Sequence, residues 1–178
     1  PVDAVRGLLA LQAQDFAGAL WSIGLRVPGS TAASVEEAHT RGEIVRSWPM
    51  RGTLHLVAAE DLGWVLGLTG RRMVRAAEGR RRQLGLDADD FVRAEEVVRG
   101  VLSGGRHASR ADLFAAFEAA GIPPTGQRGI HTLGQLAQTG VLVQSGRDVW
   151  TLLEEWVTAP RTLEGEEALR EFALRYML

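Results

Sequence analysis

The sequence predicts a mainly α protein with small β-hairpin wings, an α+β chain built from tandem winged helix-turn-helix units. Two observations carry that expectation. Twice along the chain, helical periodicity gives way to strand alternation, and each time the strands follow a run of about three helices. Each strand pair is also split by turn residues, Pro49-Met50 in the first and Ser145-Gly146-Arg147-Asp148 in the second.

The first helix is expected from Asp3 to about Gln14, with Val5, Leu8, Leu9 and Gln12 at helical spacing. Phe16 to Leu25 forms a second, closed by Pro28-Gly29-Ser30. Ser34 caps a third, with Glu36 and Glu37 in its first turn, where the helix dipole favours acid. Ile44 to Trp48 and Arg51 to Val57 read as two strands. In the second, alternation puts Leu54 and Leu56 on a core face and Arg51, Thr53 and His55 on a polar one. Two further helices are expected between Ala59 and Arg82, broken near Thr69-Gly70.

After Leu86-Asp87-Ala88 the pattern restarts. Asp89 to Leu102 is amphipathic, and Ser109 with Asp112 outlines a capping box for a helix from Arg110 to Ala120. Gly121 ends that helix and Pro123-Pro124 prevents its continuation. A third helix from about Gly126 to Thr139 precedes the strands Val141–Gln144 and Val149–Leu153. The expected organisation is one winged-helix unit with connecting helices over residues 1–86 and a second over 87–160. Residues 161–178 would begin a third, truncated unit. The last helix, Glu164 to Leu178, carries Leu169, Phe172, Ala173 and Tyr176 along one stripe and stops without a cap, as a fragment would.

Composition narrows the chemistry. Apolar residues make up 46% and charged residues 24% of the 178 residues, ordinary for a globular protein. No apolar run reaches bilayer-spanning length and the start lacks the order of a signal peptide, so a soluble, cytoplasmic chain is expected, and a monomer is the expected state. Cysteine is absent, and all 20 basic residues are arginine. Disulfides, thiol nucleophiles and lysine Schiff bases are thereby excluded. The four histidines show no metal-binding spacing and no glycine loop cradles phosphate, so neither a metal nor a cofactor is expected. The net charge of −2 gives no basic coat, yet Arg71, Arg72, Arg75, Arg80, Arg81 and Arg82 crowd one helical stretch. Such a cluster can grip phosphate or simply form a solvated face.

In the third helix of the second unit, Gln127, His131, Gln135 and Gln138 form a polar stripe opposite Ile130, Leu133 and Ala137. A winged helix reads the major groove with this element, and glutamine suits adenine edges. Arg147 at the hairpin tip suits a phosphate. Gln12 and Gln14 point apart on a continuous helix, so one site could use both only if the helix ends there.

Leu8 to Gln14, together with Val45-Arg46-Ser47-Trp48-Pro49-Met50-Arg51-Gly52-Thr53-Leu54-His55-Leu56, resembles the AlkZ-like winged-helix DNA glycosylases. Ser109-Arg110-Ala111-Asp112-Leu113, Gly140-Val141-Leu142-Val143 and Glu155-Trp156 extend the resemblance through nearly the whole chain. It implies tandem winged helices that bind double-stranded DNA, excise bulky alkylated purines and in some members unhook interstrand crosslinks. It also implies a catalytic Gln-aliphatic-Gln signature at Gln12-Ala13-Gln14, with Arg51, Thr53 and His55 as DNA-contacting family-pattern residues. The competing expectation is a non-catalytic winged-helix module or transcription regulator, reading DNA with Gln127, His131 and Gln135. A third is a protein-interaction scaffold that binds no duplex.

Overall fold

A computed structural model describes residues 1–177; Leu178, the last residue of the expected terminal helix, lies outside the described residues. The chain begins α1 (Val2–Gly7), β1 (Leu11–Gln12), α2 (Phe16–Gly24), α3 (Ala32–Thr40), β2 (Ile44–Met50) and β3 (Thr53–Ala58). A long helix α4 (Ala59–Gln83) follows. The same order then recurs as α5 (Ala88–Leu102), β4 (Ala108–Ser109), α6 (Arg110–Ala119), α7 (Arg128–Gln138), β5 (Leu142–Gly146) and β6 (Val149–Leu152). The chain continues with α8 (Leu153–Trp156) and α9 (Gly165–Met177). Helix, strand, two helices and a hairpin make a winged helix, and the chain contains two.

The two hairpins do not stand apart. All six strands form one sheet in the order β1-β3-β2-β5-β6-β4, joined at its middle by Arg46 of β2 opposite Gln144 of β5. The order is symmetric about that junction, each half contributing a hairpin and one short edge strand. Trp48 and Trp150 stack across it with centroids 5.6 Å apart. α3 packs on β5 and α7 packs on β2, so the third helix of each half is seated against the other half's hairpin.

One sheet face is shared by two cores. Ile44, Leu56 and Ala13 pack with Val5, Phe16, Ala19, Ile23 and Val35, while Trp48, Leu142, Trp150 and Leu152 pack with residues of α5, α6 and α7. α4 covers the opposite face, setting Ala59, Leu62 and Leu66 against Val45, Val57 and Val143. Both faces of the central strands are therefore buried.

Four local expectations change. The first hairpin turns at Arg51-Gly52 and not at Pro49-Met50: β2 runs on through Met50, which pairs with Thr53, so Arg51 sits in the turn and not on the second strand. The first helix stops at Gly7 because Leu9 turns the chain: its φ is 61°, and the Ala10 N–H donates to the Leu8 carbonyl at 2.6 Å. That is a γ-turn of positive φ, which strains a residue bearing Cβ, and the buried Leu9 side chain holds it in place. The cap of α3 is Thr31, whose hydroxyl accepts from the Ser34 N–H, with Ser34 at the reciprocal position of the capping box. α4 runs unbroken through Thr69-Gly70. A Cβ on Gly70 would lie 2.4 Å from the Gln138 carbonyl oxygen, so this glycine permits a close helix crossing and not a break.

Helix α9 lies on α4 through a buried carboxylate. Asp61, fully buried, accepts from Trp64 Nε1 (2.8 Å), Arg161 Nη1 (2.8 Å) and Arg175 Nη1 (2.6 Å). The helix turns Ala168, Phe172 and Arg175 inward, leaving Leu169 and Tyr176 of the expected stripe exposed. On α9, the Arg175 ion pair with Asp61 falls on the same side as the packed Ala168 and Phe172. No helix among the described residues is long and apolar enough to cross a membrane.

Candidate functional site

Gln12 and Gln14 lie where the first half of the sheet meets α2. Past the γ-turn the chain is extended: Leu11 and Gln12 pair with Leu56 and His55, and the Ala13 N–H donates to the Leu54 carbonyl at 2.7 Å. Residues two apart on a strand share a face. Ala13 is accordingly buried, and Gln12 and Gln14 are both exposed. Neither side-chain amide hydrogen-bonds to protein among the described residues. Asp15 then caps α2, its Oδ1 accepting from the Ala17 N–H at 3.1 Å.

The segment is held from behind by Arg46, which is only 8% exposed. Its Nε and Nη2 donate to the Ala13 carbonyl at 3.0 and 2.6 Å, and Nη2 also reaches the Gln14 carbonyl at 3.2 Å. Nη1 donates to Gln144 Oε1 at 3.1 Å, and the guanidinium lies 5.5 Å from the centre of the Phe16 ring. No carboxylate pairs with it among the described residues. Burial pulls its pKa below the usual arginine value, Arg147 adding to the effect and Asp148 opposing it. A buried cation satisfied by neutral carbonyls is costly, so its position is enforced by the fold around it. Sequence reading missed Arg46 as a site residue. The available signal was parity: it is a charge at a core-facing position between Ile44 and Trp48.

His55 stands directly opposite Gln12 and is fully buried beside Ser47. Its Nδ1 donates to the Thr53 carbonyl at 2.8 Å, leaving Nε2 to accept from Arg51 Nη2 at 3.5 Å. Burial lowers its pKa and Arg51 adds to that, so the ring is neutral. Ser47 Oγ and Thr53 Oγ1 are buried without partners among the described residues. Arg51, Thr53, His55, Gln12 and Gln14 thus gather on one end of the sheet, and of these five Arg51 and the two glutamines are exposed.

The polar stripe of α7 is elsewhere, and α4 lies along it. Arg80 Nη2 donates to Gln127 Oε1 at 2.8 Å, and Arg81 Nη2 donates to Gln138 Oε1 at 2.9 Å. His131 is half-buried, its pKa lowered by burial and by both arginines. The side chains expected to face a DNA groove therefore face another helix of the same chain. Arg147 is exposed at the β5–β6 tip, beside Asp148, which pairs with Arg110 at 3.6 Å.

A family model described as DNA glycosylase AlkZ-like matches residues 5–178. The chain belongs to the AlkZ-like DNA glycosylase family. No curated protein matches it in sequence. Among solved structures, DNA glycosylase AlkZ of Streptomyces sahachiroi aligns with a TM-score of 0.78 at 22% identity. The match covers 98% of this chain and 51% of that one, so the AlkZ-like chain spans about half the length of that relative and shares its fold.

This AlkZ-like chain holds no group of three or more metal-binding side chains among the described residues. What its edge strand offers is two uncommitted amides, each with a carbonyl dipole and an N–H donor pair. They project from backbone anchored at Leu54 and Arg46. Such dipoles can face a developing positive charge and orient a water molecule.

Proposed function

We propose that this chain is the part of a monofunctional DNA glycosylase that carries the reactive residues, Gln12 and Gln14, and that its substrate is duplex DNA bearing bulky N-alkylated purines. Interstrand crosslinks joined through such purines fall within the same chemistry. The observation that carries the reading is the outward, unpartnered pair of glutamines on a segment clamped by Arg46. Arg51 and Thr53 on the adjacent hairpin and Arg147 on the second tip would contact the DNA backbone, with His55 supporting Arg51 from beneath.

An N7-alkylated purine is already cationic. The bond from C1′ to N9 breaks with its electron pair leaving on the base, which departs neutral. The sugar is left with oxocarbenium character, which the glutamine carbonyls stabilise. Water adds to C1′, its proton passes to solvent, and the products are a free base and an abasic site. Little acid catalysis is needed, and these 178 residues hold no lysine that could form a Schiff base. A bulky lesion also relaxes the requirement for a closed base-flipping pocket.

The test uses a duplex with one N7-methylguanine, incubated with protein and then heated in alkali to cut abasic sites. Cleavage at the lesion is expected, lost by at least 100-fold (on the order of one or more removed transition-state dipoles) in Gln12→Ala/Gln14→Ala. Duplex affinity should be unchanged in that variant. Excision at the parental rate in the double variant removes the glutamines from the mechanism. For duplex reading by α7 instead, Gln127 and Gln138 would first have to be released from Arg80 and Arg81.

A further inference from the structure

Most arginines of this chain are spoken for. Eight stand within 4 Å of a carboxylate among the described residues. The second half of α4 is the exception, with six arginines against the single acid Glu78 between Arg71 and Gln83. Two of the six dock the helix. Arg81 is 5% exposed and donates to Gln138 Oε1 and the Val74 carbonyl while lying 5.5 Å from the Phe91 ring centre. Arg80 bonds to Gln127 and Gln83.

The other four, Arg71, Arg72, Arg75 and Arg82, are exposed and make no hydrogen bond or ion pair to protein among the described residues. In a chain of net charge −2, this is a local excess of positive charge without an internal partner. Its location is informative. α4 lies along the polar stripe of α7, so on this flank Arg71 and Arg75 line one groove with Gln138, and Arg75 and Arg82 line a second with Gln135. Arg71 and Arg75 border an open groove of about 660 Å³ between α4 and the turn Gln138–Gly140.

We propose that Arg71, Arg72, Arg75 and Arg82 form a phosphate-contacting surface for duplex DNA, separate from the glutamine-bearing edge strand. The occupant is the duplex backbone by charge complementarity. The eleven helical rises from Arg71 to Arg82 span about 16 Å, over which B-form DNA presents a phosphate charge about every 1.7 Å of axis. Guanidiniums, with fixed donor forks, suit phosphate oxygens. The surface supplies grip and register without reading sequence. It rests on the reading that the protein acts on duplex DNA.

The experiment measures duplex affinity against salt concentration for the parent, for Arg71→Gln/Arg72→Gln/Arg75→Gln/Arg82→Gln, and for Arg26→Gln/Arg170→Gln as a surface-charge control. Each lost phosphate contact lowers the slope of log K on log salt by about 0.9, so the quadruple variant should lose about 3 to 4. The control should keep the parental slope, and lysine at all four positions should restore it. These side chains have no protein partners, so a matching thermal midpoint verifies folding. A parental slope in the quadruple variant, or an equal loss in the control, overturns the surface while leaving the glycosylase reading intact. No salt-dependent duplex binding by the parent overturns both.

Discussion

At corresponding places in the two halves of the sheet, the first half carries Gln12 and Arg46 and the second carries Ser109 and Gln144. The register supports the equivalence: Leu11 and Gln12 face Leu56 and His55, as Ala108 and Ser109 face Trp150 and Val149. In the second half, strand passes directly into helix. The Ser109 side chain is consumed in capping α6, exchanging hydrogen bonds with Asp112. In the first half the cap is deferred to Asp15, three residues beyond Gln12. That delay inserts an outward Gln14, frees Gln12 from capping, and leaves two backbone carbonyls for Arg46 to hold. One architecture thus yields a purely structural edge on one side and an edge available for chemistry on the other.

The largest effect expected from breaking this comparison is at Arg46. Arg46→Met strands the Ala13 and Gln14 carbonyls and Gln144 Oε1, each buried acceptor left unsatisfied costing about 1 to 3 kcal/mol. Removing the buried charge offsets part of that, so the net cost should be about 2 to 4 kcal/mol. Gln144→Met removes one acceptor and should cost about 1 to 2 kcal/mol. Arg46→Lys keeps the charge without the fork, so it should fold yet excise poorly while binding duplex normally. Urea unfolding and the alkali-cleavage assay check the three variants. Equal destabilisation by the two methionine substitutions would mean that the halves are held alike.

A second contrast lies within α4. Gly70→Ala forces a Cβ to 2.4 Å from the Gln138 carbonyl and should cost about 1 to 3 kcal/mol. Gly63→Ala and Gly67→Ala meet no atom within 4 Å and should stabilise by about 0.5 to 1 kcal/mol through helix propensity. Thermal melts of the three variants separate a close crossing from a helix break. If Gly70→Ala stabilised as the others do, α4 and α7 would not cross there.

These contrasts show what could be read in advance. The α6 cap, the second hairpin and the recurring element order followed from local rules, because Ser109/Asp112 and the turn residues act within a few positions of themselves. The first hairpin was legible, but its turn fell at Arg51-Gly52, past the expected Pro49-Met50. β1 escaped because two residues carry no period and the γ-turn at Leu9 depends on tertiary packing. Gly70 and the α7 stripe were misleading for one shared reason: the partner of each is a residue more than 45 positions away, on the other helix. The glutamine pair was located through the family resemblance, whereas its common orientation needed the strand. The anchoring role of Arg46 needed the whole junction.

The junction also titrates. His39 of α3 is buried, its Nε2 donating to the Gln144 carbonyl at 2.9 Å, with Phe16 5.9 Å away and Arg46 and Glu36 as the charged groups acting on it. Burial is the main cause of its lowered pKa, and Arg46 adds to it. The unfolded chain therefore takes up the proton first as pH falls. The stability this neutral ring contributes is fully present above the ordinary histidine pKa of about 6.5 and is lost as pH falls through the lower folded value. His55 and His131 are lowered too and share the sign. Urea midpoints should therefore drop between pH 7 and 5, less steeply in His39→Gln. An unchanged slope in that variant would assign the dependence to the other two.

The smallest effect concerns the two hairpin tips. The first turns on Arg51 and Gly52 with φ of 54° and 67°, the pattern of a type I′ turn, while the second places Asp148 at φ 60° after Arg147. Aspartate tolerates that region, and arginine does so at a cost of about 1 kcal/mol. Strain at an exposed tip persists when the side chain has another use. Arg51 has one, standing within 3.5 Å of His55 and beside Gln12's strand. Arg51→Asn should raise the thermal midpoint by about 2 to 4 °C, the shift that 1 kcal/mol gives a chain of this size, while weakening duplex binding and excision. If affinity and rate were unchanged, Arg51 would be strained without a DNA role, and the first tip would be no more functional than the second.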